Sequence, residues 1–348
     1  MRQFICRFYI LLLLIGCSPQ RTTNHLSSTA SALSIRKPII GVLPNATVTL
    51  TPFLPDGSGD TIPTTTQFLN KEKPWGNFLG PAIWPPTEIP HPVGLLSQSA
   101  DNVNILLLGD DKGEDESYRT DAVILLTLKP QRKMASIVSF PRDIYVYVPG
   151  WTMQRINVVM RRGGFELLAT TFEYNFGVRP AYYARINFAV LKQVINDLGG
   201  IDIYLPQAMS DSVGGAPTRT VQAGMVHMDG EMVDWYLRAR WESSDFDRTR
   251  RHQEILFAVF TKMISLEGLT HVNELYNNYI QNVDTNITIV TLSQWLSLAP
   301  SLQDSTRVEH FRIGEEHVIS WTVPTSGSTV LLPNRKAIIE ILKNAIEL

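Results

Sequence analysis

The chain has 348 residues, 44% of them hydrophobic, enough to bury a full core in one large or two small domains. Its formal net charge of −2 excludes a globally basic face for nucleic acid, so any anion has to be held locally, in a pocket. The only cysteines are Cys6 and Cys17, which excludes a disulfide framework, a thiolate metal site and a thiol nucleophile from the body of the chain.

At the N-terminus, Arg2 and Arg7 precede an apolar run from Phe8 to Ile15, and Leu14-Ile15-Gly16-Cys17 closes it. The run is about half as long as a membrane-spanning helix needs, so it reads as an export signal. It resembles the lipobox of bacterial lipoproteins, which implies residues 1–17 as signal peptide and Cys17 as the lipid-modified first residue. From residue 18 to 100 the composition turns to Ser, Thr, Pro and Gly, without apolar periodicity, and reads as a disordered, extended tether. Trp75, Phe78, Leu79, Ile83 and Trp84 interrupt it, either packing on a domain surface or staying with the tether.

The folded part is expected over residues 101–348. Asn104 to Gly109 reads as a strand buried on both faces, a polar loop spans Asp110 to Thr120, and a second strand covers Ala122 to Leu128. Asp111 and Asp121 thus sit at neighbouring strand ends with Arg119 close by. Such a loop is ordinarily solvated turn chemistry, yet two carboxylates at one edge can also share a hard cation such as Mg²⁺ with phosphate oxygens. Met134 to Phe140 is a third strand, and Pro141 ends it, leaving Arg142 and Asp143 on a loop. Ile144 to Val148 alternates like a half-exposed strand, and Arg155-Ile156-Asn157 leads into a helical segment broken at Gly163-Gly164.

A helix over Phe165 to Asn175, a strand over Tyr182 to Ile186, a helix over Phe188 to Leu198 stopped by Gly199-Gly200, and a strand over Ile201 to Leu205 follow. This β-α-β alternation predicts a three-layer α/β/α domain with a mixed central sheet. Gln207 to Thr220 reads as a Gly/Ser rim or lid, and Asp229-Gly230-Glu231 starts a short helix. Tyr236 to Arg240 then reads as a strand whose period of two puts Tyr236, Arg238 and Arg240 on one face.

In Asp245 to Met263, Ile255, Leu256, Val259, Phe260 and Met263 recur at helical spacing, with Asp245 or Asp247 as cap. At about 3.6 residues per turn, Arg248, His252 and, at the edge, Arg251 extend that apolar stripe, and Arg250 falls on the other side. Inward guanidiniums near a helix N-terminus oppose the macrodipole unless an anion sits between them, and a phosphate answers both. With Arg238 and Arg240 only a few residues upstream, the pairs can converge on one pyrophosphate. The remainder, with a β-like stretch over Thr322 to Leu332 and a helix over Asn334 to Ile346, is assigned to the edge and cover of the same domain.

In order, the segments N-I-L-L-L-G-D-D, R-T-D, S-F-P-R-D-I-Y-V, R-I-N, I-N-F, L-G-G-I-D-I, A-G-x-x-H-M-D-G-E, Y-L-R-A-R and D-F-D-R-T-R-R-H-Q resemble the LytR-CpsA-Psr family of bacterial cell-envelope glycopolymer transferases. The resemblance implies a phosphotransferase that moves a glycopolymer phosphate from a polyprenyl-pyrophosphate carrier to peptidoglycan. A lipoprotein that binds the carrier or wall glycan without turnover, or a polyprenyl-pyrophosphate hydrolase, are the alternatives. It also implies Mg²⁺ on Asp111 and Asp121, catalytic roles for Arg142, Arg238, Arg240 and Arg248, and a substrate contact from Arg251; beside these, Asp143 or one of the metal-side acids is read as the acceptor of the hydroxyl proton, and Arg119 or Arg155, with His252, as further substrate contacts.

Three features depart from the family pattern. Ile144 and Tyr145 stand where many members carry a further arginine, and His252 stands where many have Gln, which brings a titrating group to the site. Most members are held by a membrane-spanning helix, whereas Cys17 implies a lipid anchor on the extracytoplasmic face of the cell membrane.

Overall fold

The computed structural model describes residues 75–110, 119–239, 245–264, 277, 280 and 283–347, with the side chains of residues 245, 246, 248, 249, 263 and 264 outside that description. The signal segment, Cys17, Asp111 and Arg240 therefore lie outside the described residues, as does the side chain of Arg248.

Among the described residues the central sheet has six strands. The apolar runs form β1 (Val103–Asp110), β2 (Thr120–Lys129) and β3 (Met134–Phe140), joined antiparallel. β6 (Tyr182–Asn187) adds parallel to β1, and β12 (Val308–Arg312) adds parallel to β3. A two-residue strand, β11 (Asp284–Thr285), closes the β6 edge antiparallel. The sheet is mixed, and its inner strands are apolar on both faces because both are covered.

On one face, Leu106, Leu108, Val123, Leu125 and Phe140 pack against α1 (Val159–Phe176) and the C-terminal helix Arg335–Glu347. Phe172 and Phe176 of α1 meet Phe140 with ring centroids 5.0 and 4.9 Å apart. On the other face, Ile105, Ile124, Leu126 and Ile137 pack against α4 (Asp245–Ile264) and the helical turn Ala299–Leu302. A third cluster joins α4 to α2 (Phe188–Asp197) and α3 (Gly230–Arg238). These are the expected three layers. Asn187 and Asp229 cap α2 and α3 by accepting from Val190 N and Met232 N. Gly163 and Gly164 leave helical geometry inside α1, at the break expected there.

Five readings change. The stretch Tyr236–Arg238 is the last turn of α3 and no strand, because Val233, Tyr236 and Leu237 recur at helical spacing and are all buried against α2 and α4. Strand β7 (Ile201–Leu205) does not return to the sheet after α2; it pairs with β10 (Gly224–Met228) in a separate ribbon, with Ile201, Ile203 and Leu205 facing the helices. The expected rim loop carries its own small ribbon, β8 (Met209–Asp211) against β9 (Arg219–Val221).

Strand β4 (Tyr145–Tyr147), paired with β5 (Met153–Arg155) and expected half-exposed, is fully buried. Its cover is the end of the expected tether. Ile89, Trp75 and Phe78 pack with Tyr145, Tyr147 and Tyr174, the Tyr147 hydroxyl donates to Leu79 O at 2.7 Å, and the Tyr174 hydroxyl donates to Pro90 O at 2.6 Å. Leu96 N donates to Gly177 O at 2.8 Å, where Gly177 ends α1 at φ +70 with no room for a Cβ beside Gly94 O. Packed chain thus begins by Trp75 and not at residue 101: aromatic anchors spaced among prolines hold the segment without periodicity.

Candidate functional site

The strands β1, β2 and β6 finish together: Asp110 lies opposite Thr120 on one side and Asn187 on the other, with a register irregularity at Gly109/Asp110. Asp110 is 3% exposed and the hydroxyl of Thr120 is buried without a hydrogen-bond partner among the described atoms. The β2–β3 register, in which Val123 faces Phe140, brings Asp121 opposite Arg142 when carried past the strand ends. The side chains meet there, Arg142 Nη1 donating to Asp121 Oδ1 at 2.6 Å.

Pro141 starts a turn in which Ile144 N donates back to Pro141 O. Asp143 is fixed from three sides, accepting from Arg142 Nε at 3.3 Å and Asn157 Nδ2 at 3.4 Å and lying 3.5 Å from Arg155 Nε. Both its oxygens are engaged by donors, so in this arrangement it aims the Arg142 guanidinium. The P-R-D and R-I-N segments are one structural unit, since Asn157 N also donates to Arg142 O.

The first turns of α4 bring a second group to this end of the sheet. His252 is 5% exposed, lies against Phe188 with ring centroids 5.2 Å apart, and borders a small void shared with Gly109 and Ala122. Arg251 is 1% exposed and donates to Tyr236 O at 2.7 Å and Ala239 O at 2.6 Å, with its Cζ 5.5 Å from the Tyr236 ring centre. It therefore satisfies carbonyls at the end of α3. Tyr236 in turn donates to Glu254, and burial together with that carboxylate pushes its phenol pKa up. Arg250 also holds Glu254, on the outer side of the stripe as expected.

Arg238 is about half exposed and paired with Asp234 at 2.9 Å, a helical i, i+4 contact in place of the expected strand-face neighbour. Arg119 is exposed just before β2. The structure thus joins Asp121, Arg142 and Asp143 directly. Asp111, Arg240 and the Arg248 side chain lie outside the described residues.

Below His252, between the sheet and α4, lies a cavity of about 330 Å³. Leu107, Leu126, Ile186, Leu256, Phe260 and Trp295 are among its walls, and apart from Thr285 every lining residue is apolar. The void at His252 shares Ile186, Leu191 and Leu256 with it, so the apolar lining continues up to His252. The Asp121–Arg142 pair continues the parity of Val123 and Phe140 and so lies on the α1 side of the sheet, while the cavity lies on the α4 side.

The sequence reading missed Arg185. Its Nη1 is 3.5 Å from Asp110 Oδ2 and its Nη2 3.1 Å from Asp284 Oδ2. The signal was available, because a lone arginine inside the strand Tyr182–Asn187 has to find a counter-charge once both flanks pair. As for Mg²⁺, the carboxylates of Asp110 and Asp121 and the unpartnered Thr120 hydroxyl are hard oxygen donors of the right class. Among the described residues no three His, Cys, Asp or Glu side chains gather as a metal cluster; Mg²⁺ beside phosphates needs only one or two carboxylates.

A family model for the LytR_cpsA_psr family matches residues 86–346. The chain belongs to the LytR-CpsA-Psr family. Among its relatives, the polyisoprenyl-teichoic acid–peptidoglycan teichoic acid transferase TagU of Oceanobacillus iheyensis is 30% identical over 213 residues, 59% of this chain and 65% of TagU. TagT of Bacillus subtilis, with the same transferase name, is 29% identical over 61% of this chain and 68% of its own. Regulatory protein MsrR of Staphylococcus aureus is 28% identical over 65% of each. The match thus spans just under two thirds of TagU.

Of solved structures, B. subtilis TagV superposes with a TM-score of 0.60 at 24% identity, covering 71% of this chain and 98% of TagV, a likeness of fold. TagT bound to LIIa-WTA superposes with a TM-score of 0.57 at 25% identity, covering 73% of this chain and 99% of that one. Among the described residues no helix is long and apolar enough to cross a membrane.

Proposed function

We propose that this chain is a phosphotransferase that moves a glycopolymer phosphate from a polyprenyl-pyrophosphate carrier onto peptidoglycan. The observation that carries the reading is the apolar cavity lined by Leu107, Leu108 and Ile186, on the same strands β1 and β6 whose ends adjoin Asp110, Asp121 and Arg142. An isoprenoid tail suits the first and a doubly charged head the second. The names of TagU and TagT support the same class of substrate.

In chemical terms a peptidoglycan hydroxyl attacks the sugar-linked phosphorus, its proton passes to a carboxylate of the site, Asp143 or one of the metal-side acids, and the bond to polyprenyl phosphate breaks so that this group departs. Mg²⁺, held by Asp111 and Asp121, would supply charge neutralisation at the phosphate oxygens. Arg142, aimed by Asp143, meets the charge that gathers on the leaving phosphate, with Arg238, Arg240 and Arg248 as its partners and Arg119 and His252 at the substrate's edge. Arg251 acts one step back, since its bonds to the Tyr236 and Ala239 carbonyls hold the chain where it enters Arg240. Cys17 carries a lipid that keeps the domain on the outer face of the cell membrane.

The test is incubation of the purified protein with a synthetic polyprenyl-pyrophosphate glycan, Mg²⁺ and peptidoglycan fragments. Glycan attached to peptidoglycan and released polyprenyl phosphate are the expected products, and Arg248→Ala should abolish both while the domain stays folded. A carrier-binding protein would release no polyprenyl phosphate, and a hydrolase would yield free phosphoglycan; either result replaces this reading.

A further inference from the structure

Strand β6 has two functions written on its two faces. Ala184 and Ile186 line the apolar cavity, while Tyr183 and Arg185 project from the opposite side. The edge strand β11 pairs with it at only two positions, Asp284 with Arg185 and Thr285 with Ala184. So short a ladder holds little by itself. Side chains hold it instead: the Tyr183 hydroxyl donates to Asp284 Oδ1 at 2.6 Å, Arg185 reaches Asp284 Oδ2, and the Thr285 hydroxyl donates to Tyr183 O. Asn286 accepts from Tyr183 N at 2.9 Å and donates to Ala181 O at 3.0 Å.

What these latches fix is a wall of the cavity, since Val283, Thr285 and Ile287 line it. The same Arg185 guanidinium also touches Asp110, whose carboxylate is almost fully buried where β1 ends. Asp110 faces Thr120, the residue next to Asp121, which holds Arg142.

We propose that Arg185 is a positioning residue that couples occupancy of the apolar cavity to the charged end of the sheet. A tail that fills the cavity presses β11 against β6 and fixes Asp284. That holds the guanidinium in place and with it the buried Asp110 carboxylate beside the phosphate-binding residues. By linkage the coupling runs both ways, so a head group that orders Asp110 also tightens the wall. The inference rests on the cavity being the seat of a lipid tail, and its test separates the two.

Amide hydrogen exchange on the full chain reads it, with farnesol as a tail that carries no phosphate. In the unchanged protein, farnesol should slow exchange in residues 283–287 and, through Arg185, in residues 108–110, each by about fivefold or more. Asp284→Asn, at a partly exposed position, leaves the fold intact. In that variant farnesol should still protect the cavity-lining residues of α4 while the effect on residues 108–110 is lost. Arg185→Lys, which keeps the charge but cannot bridge two carboxylates with one planar fork, should lose the same transmission. Protection of residues 283–287 with no change at 108–110 in the unchanged protein overturns the coupling and leaves the cavity reading standing. No protection anywhere overturns both.

Discussion

Arg251 offers a direct way to separate binding chemistry from architecture, because family resemblance gives it a substrate contact while the structure gives it two carbonyls. Its side chain is 1% exposed, and Nη1 and Nη2 donate to Tyr236 O and Ala239 O, both on residues with no exposed surface. A hydrogen bond from a charged donor contributes roughly 1.5–3 kcal/mol, and a buried carbonyl left without a donor costs about the same. Arg251→Ala should therefore lower stability by roughly 3–5 kcal/mol, which for a domain of this size corresponds to a fall in Tm of about 10 °C. Arg251→Lys, able to serve one carbonyl, should lose about half of that. Urea unfolding followed by tryptophan fluorescence gives the midpoints. A variant within about 0.5 kcal/mol of the parent that nonetheless loses transfer would show that these bonds are incidental and that Arg251 serves the phosphate.

Removing the phenol in Tyr147→Phe deletes the bond to Leu79 O and should cost about 1 kcal/mol, read as faster proteolysis of residues 75–90 before global unfolding. Burial pushes the Tyr147 phenol up to about 12 from its usual 10, and Tyr174 and Tyr236 also shift upward; the unfolded chain therefore loses those protons first, and stability should fall as pH rises above 10. An alkaline titration in which phenolate absorbance and unfolding move apart would contradict this. The contact with Phe257 partly desolvates the otherwise exposed His310 and lowers its pKa below its usual 6.5, so the unfolded chain binds the proton first and stability should decline slightly as pH drops below 6.5; His310→Asn should remove that small slope in urea midpoints taken across the same range. A slope unchanged in the variant assigns the effect to another group.

Local patterning carried much of this protein. The apolar runs at Asn104–Gly109, Ala122–Leu128 and Met134–Phe140 read as central strands, since their short length and aliphatic side chains at both parities call for burial on both faces. Asp229 and Gly199-Gly200 marked helix ends because caps and left-handed glycines act within a few residues. The inward stripe of α4 was legible too, down to the buried Arg251 and His252, because helical spacing fixes which side chains share a face.

Partners distant in sequence were beyond such reasoning. The first three residues of an alternation read as a strand, Tyr236–Arg238, end α3, since packing against α2 and α4 outweighs a short period-two pattern. Whether Ile201–Leu205 rejoined the sheet, whether the Trp75–Pro90 stretch was loose or packed, and which carboxylates Arg185 would find all depended on contacts between segments tens to hundreds of residues apart. The sequence alone determined that the long apolar runs needed burial and that the inward charges of α4 needed an anion or a counter-ion, because those demands are set by each side chain's own solvation. Only the tertiary structure decided who would meet them: it gave Arg142 to Asp121, Arg251 to the end of a helix, and Arg185 to both the charged end of the sheet and the wall of the cavity.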